Sequence, residues 1–317
     1  MTRKIYLLAA LLAGLAAAPA SLVAAQPRPA AAASTETRLP HISIRAIGQG
    51  DPVVLIPGLA SPRAVWDGIA PDLARTHRVI LVQVNGFGGD DPGANAQGDV
   101  LPGVVADLVH YLDENRIRRP AVIGHSMGGL IGMMLARAHP ERVSRLMIVD
   151  ALPFFGVLMG PNATLDTVRP IAAQLRTALQ GQAGPQPVPP SMSLTEAGRA
   201  QVGGWMNAAS HRVTGQAIYE DATSDLRADV PAIGRVPTTV LYAVSDPARA
   251  EMFRNIFAGA YAAAPSIRVI PVENSAHFIM LDQPDRFAAL VSAFLSDHQE
   301  CGQTRMDNRG NVEPRPC

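Results

Sequence analysis

Val122-Ile123-Gly124-His125-Ser126-Met127-Gly128-Gly129 joins two apolar segments of different character. The run before it is short and reads as a buried strand. The run after it, Leu130-Ile131-Gly132-Met133-Met134-Leu135-Ala136-Arg137-Ala138, reads as a helix. Between them lies G-x-S-x-G, and strand–turn–helix is the setting in which that motif lifts a serine hydroxyl clear of a sheet. The glycines answer a steric demand. A serine at so sharp an apex takes a strained conformation, and side chains at Gly124 and Gly128 would collide with the crossing strand and helix. The helix that begins after Ser126 aims free N–H groups and a partial positive charge at the same spot.

Working outward, the chain alternates short apolar strands with helices. Ile42–Ile47 alternates apolar with polar residues, Gly48–Asp51 makes a turn, and Pro52–Ile56 is a buried strand. A helix is expected from Ser61-Pro62 to about Arg75, with Val65, Trp66, Ile69 and Leu73 on one face. Arg78–Val84 follows as a strand, then a glycine-rich loop from Asn85 to Asp91 and a helix from about Leu101 to Glu114. After the serine helix comes the strand Arg145–Val149, ending at Asp150. Residues 151–236 break the alternation with apolar patches, helical stretches and a Pro/Gly-rich hinge from Gly181 to Pro190, and read as a cap inserted over the sheet. Strands at Thr239–Val244 and Ile267–Val272 and helices at Ala248–Ala263 and Pro284–Leu295 complete the pattern. The class is α/β, with a mostly parallel sheet flanked by helices and an inserted helical cap. Ligands in such sheets gather at the C-terminal strand ends.

The ends of the chain read differently. Arg3 and Lys4 followed by an apolar run to about Ala18, with small residues at Val23-Ala24-Ala25, predict a signal peptide over 1–25. The run is short for a membrane span, so a protein exported to the periplasm or beyond, without a stable anchor, is expected. Residues 26–40, rich in Ala, Pro, Ser and Thr, read as a disordered leader to the core segments 41–150 and 237–299. The tail 300–317 is polar and holds both cysteines, Cys301 and Cys317. An oxidising compartment makes a bridge between them the expected state, closing a loop of about 15 residues worth roughly 3 kcal/mol.

Composition narrows the function. Apolar residues make up 48% and charged residues 17% of 317, enough for a large core. Lys+Arg and Asp+Glu both number 27 and no basic block occurs, which leaves nucleic-acid binding without support. No metal-ligand spacing and no phosphate-cradling glycine loop is present, so no metal or organic cofactor is expected.

A serine hydroxyl needs a base to take its proton, and histidine is the usual one. Of eight histidines, His277 stands out. It lies in Glu273-Asn274-Ser275-Ala276-His277-Phe278, the loop after the last strand. His125 neighbours Ser126 but points away from it at such a turn, and reads as a packing residue. The imidazole in turn needs a carboxylate. Asp246, in the loop after the preceding strand, is the favoured one; Asp150, at the end of the strand after the serine helix, is its rival.

These segments resemble the α/β-hydrolase superfamily in its serine hydrolase, esterase-like branch. Gly124-His125-Ser126-Met127-Gly128-Gly129 matches its signature, and Ser126, Asp246, His277 follow its chain order. Ala276-His277-Phe278 with Leu281-Asp282-Gln283-Pro284 is similar to its histidine loop and final helix. The resemblance covers roughly residues 42–297 outside the cap. It implies an eight-stranded sheet, and an oxyanion hole formed by the N–H groups of Met127 and Leu59. Many relatives carry His-Gly where this chain has Pro57-Gly58, a change that leaves a backbone donor in place.

The expectation is acyl transfer through Ser126, His277 and Asp246 on a small hydrophobic ester or lactone, with activity falling on acidification as the base is protonated. Phe154, Phe155, Leu158, Met159 and Trp205, with Tyr219 in the cap, are candidate pocket residues, packing within the cap being the alternative for each. A carbon–carbon bond hydrolase, an amidase and a non-catalytic ligand-binding protein of the same fold are the other readings.

Overall fold

The computed structural model describes residues 36–160, 162–181, 184 and 187–300, with two short strands at 304–306 and 312–314. The expected signal peptide, most of the leader and both cysteines of the expected bridge lie outside the described residues.

Strands β1 (Glu36–Arg38), β2 (Ile42–Ile47), β3 (Asp51–Ile56), β4 (His77–Val84), β5 (Ala121–His125), β6 (Arg145–Val149), β7 (Thr238–Val244) and β8 (Arg268–Glu273) form one sheet. Its order is β1-β2-β4-β3-β5-β6-β7-β8. Pairing is antiparallel on both sides of β2 and parallel from β4 to β8.

The helices are α1 (Ala70–Leu73), α2 (Val100–Glu114), α3 (Met127–Ala138), α4 (Leu165–Gln180), α5 (Glu196–Ala208), α6 (His211–Thr223), α7 (Val230–Ile233), α8 (Ala250–Tyr261), α9 (Ile279–Asp282) and α10 (Pro284–Glu300). Among the described residues no helix is long and apolar enough to cross a membrane.

The period-two geometry of strands distributes each buried run between two cores. Val54 and Ile56 of β3 face a cluster shared with Leu108 of α2, Leu130 and Met133 of α3, and Phe257 and Tyr261 of α8. Val53 and Leu55 face the opposite cluster, with Trp66, Phe287 and Val291. Runs without polar alternation are therefore what a sheet covered on both faces requires. A third, small cluster of Phe154, Val168, Ala172 and Ala222 joins α4 to the end of α6, while Val202 of α5 and Val213 and Ala217 of α6 bury into the two larger clusters.

One expected helix is not continuous. In place of Ser61–Arg75 there is a 3₁₀ turn over Arg63–Trp66 and the short α1. Gly68 lowers helix propensity between them, and Pro71 within α1 has no N–H to give to the preceding turn. Val65, Trp66 and Ile69 still bury on one side, so the apolar pattern is satisfied without the helix.

Candidate active site

Ser126 sits at the apex between β5 and α3 with φ 52° and ψ −123°. Its N–H donates to Val149 O at 2.8 Å, fastening the turn to β6. The crowding expected from sequence is present. A Cβ on Gly124 would lie 2.1 Å from Gly128 O, and one on Gly128 would lie 2.3 Å from Ile56 O. Only glycine lets strand and helix cross this closely.

His277 lies in the loop between β8 and α9. Its Nε2 is 2.9 Å from Ser126 Oγ, the hydroxyl donating, and its Nδ1–H donates to Asp150 Oδ2 at 2.7 Å. Asp150, with φ 52° just beyond β6, accepts a second hydrogen bond from Ala243 N–H of β7 at 2.9 Å. The carboxylate is thus fixed by β7 on one oxygen and by the imidazole on the other. Serine, histidine and aspartate each come from the C-terminal edge of the sheet, on adjacent strands β5 and β6 and the loop after β8.

Asp246, the favoured carboxylate from sequence, is placed elsewhere. It is exposed, and its Oδ1 accepts from Ala248 N–H at 2.9 Å, capping the turn Pro247–Arg249 that leads into α8. The sequence Asp246-Pro247 is itself a local reason for this, since Asp is a favoured cap and Pro a favoured first residue. The correction is that Asp150 holds the imidazole and Asp246 does not.

The loop holding His277 is fastened by Asp282, part of the stretch quoted from the sequence, and by cap groups the sequence did not single out. Asp282 Oδ2 accepts from Ala276 N–H at 2.7 Å, while Oδ1 accepts from Ser193 Oγ at 2.6 Å and Leu194 N–H at 3.1 Å. His277 N–H and Phe278 N–H donate to Ser191 O and Met192 O, at 3.1 and 2.9 Å. His125 is fully buried, and its Nε2–H donates to His277 O at 3.0 Å. Burial, with the charge of the neighbouring His277, holds His125 well below the usual imidazole range, so it stays neutral. Its packing role, read from sequence, is accompanied by a positioning bond.

The N–H groups of Leu59 and Met127 make no hydrogen bond among the described residues. Gly58, beside Leu59, runs so close to the apex that a Cβ there would be 3.2 Å from Ser126 Cβ and 2.8 Å from His125 Nδ1. Two unengaged backbone donors therefore lie next to the residues that flank the serine turn, one in the loop after β3 and one at the first residue of α3.

Of the expected pocket residues, Phe154 is fully buried at the centre of the small cap cluster, under the guanidinium of Arg227 at 4.3 Å. Phe155, Leu158 and Met159 are exposed, and Tyr219 stacks under Arg176 at 4.3 Å. Packing within the cap accounts for Phe154 and Tyr219. Trp205 is half-buried, its ring 6.0 Å from that of Phe278, the residue after His277. A cleft of about 650 Å³ at the opposite, N-terminal strand edge, lined by Asp51, His77 and Arg145 among others, holds none of these groups.

Among the described residues no cluster of histidine, cysteine, aspartate and glutamate is arranged to hold a metal ion.

Comparison with known proteins agrees with the fold. The chain is 38% identical over 114 residues to a pimeloyl-[acyl-carrier protein] methyl ester esterase of Aeromonas hydrophila, a match spanning 36% of this chain and 43% of that esterase. It is 25% identical over 273 residues to a cis-3-alkyl-4-alkyloxetan-2-one decarboxylase of Shewanella oneidensis, covering 79% of this chain and 83% of the relative. MenH from S. aureus superposes with a TM-score of 0.69 at 18% identity, covering 82% of this chain and all of MenH. The enol-lactonase of Burkholderia xenovorans superposes with a TM-score of 0.62 at 19% identity, covering 80% and 96%. The family described as alpha/beta hydrolase fold matches residues 51–228, more than half the chain. With its eight-stranded sheet and its serine turn, the chain belongs to the alpha/beta hydrolase fold family.

Proposed function

We propose that this hydrolase-family chain is a serine hydrolase that cleaves a hydrophobic carboxylic ester or lactone through Ser126, His277 and Asp150. The observation that carries the reading is the chain of two short hydrogen bonds, 2.9 Å from Ser126 Oγ to His277 Nε2 and 2.7 Å from His277 Nδ1 to Asp150 Oδ2. In the first step His277 takes the hydroxyl proton as Ser126 Oγ bonds to the substrate carbonyl carbon. The oxyanion is held by the N–H groups of Leu59 and Met127, each worth about 3 kcal/mol of barrier. The tetrahedral intermediate collapses, the C–O bond to the alcohol breaks, and the imidazolium returns its proton to the leaving oxygen. Water then attacks the acyl-enzyme with the same imidazole as base, and the acid leaves. Asp150 keeps the proton on Nδ1, which leaves Nε2 free to accept.

Ester and lactone are supported by the esterase and oxetan-2-one names of the two sequence relatives. Buried Phe278, whose ring meets that of His277, and half-buried Trp205 against Phe278 support an apolar acyl or alcohol part. Residues 1–25 are proposed as an export signal, tested by following the full chain into the periplasmic fraction and determining the N-terminal residue found there. The decisive experiment on function is a panel of esters, lactones and amides graded by acyl length, run on the protein and on Ser126→Ala. Hydrolysis of esters or lactones that vanishes in the variant is expected. Substantial turnover remaining in Ser126→Ala sinks the mechanism.

A further inference from the structure

The chain leaves β6 through Asp150 and Ala151, and the sheet braces only the first of them. Asp150 N–H donates to Leu241 O at 2.7 Å, and Asp150 Oδ1 accepts from Ala243 N–H at 2.9 Å, both groups belonging to β7. The φ of Asp150, 52°, lies in the left-handed region, which a residue with a side chain enters at a cost. Such a conformation persists only where the surroundings hold it. The ladder of β6 ends at Val149, so the sheet offers Ala151 no partner of its own.

The hold on that far side comes from α8. Tyr261, the last residue of the helix, is 2% exposed, and its hydroxyl donates to Ala151 O at 2.8 Å from 110 residues further along the chain. Its ring belongs to the large cluster that includes Leu130 and Met133 of α3, with Met133 Sδ 3.7 Å from the hydroxyl. Ala151 is closed in from α3 as well, where a Cβ on Gly129 would lie 3.0 Å from Ala151 Cβ. Burial, with the charge of Asp150, pushes the pKa of the phenol up, so the hydroxyl keeps the proton it donates. The cluster needs only the ring, a part that phenylalanine would play without a polar atom to satisfy. What the oxygen adds is one bond to the carbonyl of the residue after Asp150.

We propose that Tyr261 is a positioning residue: by holding Ala151 O it keeps Asp150 turned so that one carboxylate oxygen stays on Ala243 N–H and the other on His277 Nδ1–H. The hydroxyl acts through Asp150 and is bonded to neither Ser126 nor His277. The proposal rests on the reading of Ser126, His277 and Asp150 as the groups of a hydrolase, and adds the side chain that braces the third of them. A carboxylate that drifts leaves the imidazole able to accept a proton but no longer fixed in direction or tautomer. Small misplacements of this kind lower the rate steeply. The same imidazole serves acylation and deacylation, so the loss belongs in kcat and leaves KM nearly unchanged.

The test compares the wild-type full chain with Tyr261→Phe, which removes only the hydroxyl, and with Val104→Ala, a core change in the same cluster on α2. On nitrophenyl butyrate, Tyr261→Phe should lower kcat by about ten-fold with KM within about two-fold. Val104→Ala should lower the melting temperature and leave kcat unchanged. In an Asp150→Asn background, Tyr261→Phe should have no further effect, because the group it positions has already lost its function. A proton spectrum of the resting enzyme reads the contact without turnover. The His277 Nδ1–H resonance, assigned by its absence from His277→Ala, is held at low field by the 2.7 Å bond to Asp150 and should move upfield or broaden in Tyr261→Phe. An unchanged kcat, a loss confined to KM, an equal loss in Val104→Ala or the same further loss in the Asp150→Asn background overturns the proposal, and so does an unmoved resonance. If the wild type hydrolyses no ester and a fluorophosphonate leaves Ser126 unlabelled, the hydrolase reading fails, while the resonance still reports whether Tyr261 sets the His277–Asp150 bond.

Discussion

At the scale of single residues, the two aspartates that follow strands β6 and β7 differ in what they hold. Asp150 joins Ala243 N–H to His277, whereas Asp246 closes a surface turn. Asp150→Asn should therefore lower turnover by about ten-thousand-fold by losing the required imidazole tautomer, and Ser126→Ala by about a million-fold. Asp246→Asn should leave steady-state rates within about two-fold. Asp221 supplies a prediction about stability. Its carboxyl holds a proton up to about pH 7 in the fold, against an ordinary value of 3.8. Between those values the folded state binds the proton and the unfolded chain does not, so this group's contribution to stability falls as pH rises from about 4 to about 7. Asp221→Asn removes that dependence. Its melting temperature relative to wild type should rise between pH 5 and pH 8, by an amount equivalent to at most about 4 kcal/mol.

At the scale of elements, the serine turn and the histidine loop achieve rigidity by different means. The turn relies on the absence of side chains: Gly124 and Gly128 leave no room for a methyl group against backbone oxygens. Gly124→Ala should cost more than about 3 kcal/mol in urea unfolding, because a backbone atom, not a flexible side chain, stands in the way. The histidine loop relies instead on the Asp282 carboxylate, which ties Ala276 N–H to the cap segment at Ser193 and Leu194. Asp282→Ala should reduce kcat by about a hundred-fold through misplacement of His277, with the far-UV circular dichroism unchanged. Asp282→Asn retains an acceptor and should lose less. The pattern Leu281-Asp282-Gln283-Pro284 was visible in the sequence as a family resemblance, but the partners of its aspartate were not. Two of them, Ser193 and Leu194, lie close to ninety residues earlier in the chain.

At the scale of the molecule, the sheet is buttressed by two large clusters, while α4 buries its residues in a small cluster of four with Phe154 and Ala222. Local opening free energy follows buried apolar contact, so amides of α4 should exchange with solvent well before those of β3, β5 and β6. Exchange at equal rates in both regions would mean that cap and sheet open as one unit. The cap also reaches the histidine loop, through Ser191 and Met192. These two backbone bonds tie the position of His277 to that of the cap segment.

The sequence by itself determined the layered α/β architecture, the serine turn and the choice of His277. Each of these is encoded by neighbours: apolar runs of strand length, glycines at fixed offsets from the serine, and a histidine just past the last strand. Tertiary structure alone decided which aspartate meets the imidazole, because Asp150 and Asp246 both follow strands, and the choice depends on which carboxylate the backbone of β7 can brace. The same holds for the broken helix near Gly68, for Phe154 turning into the cap core, and for Asp221. Their surroundings are assembled from segments far apart in the chain, and no local pattern carries that information.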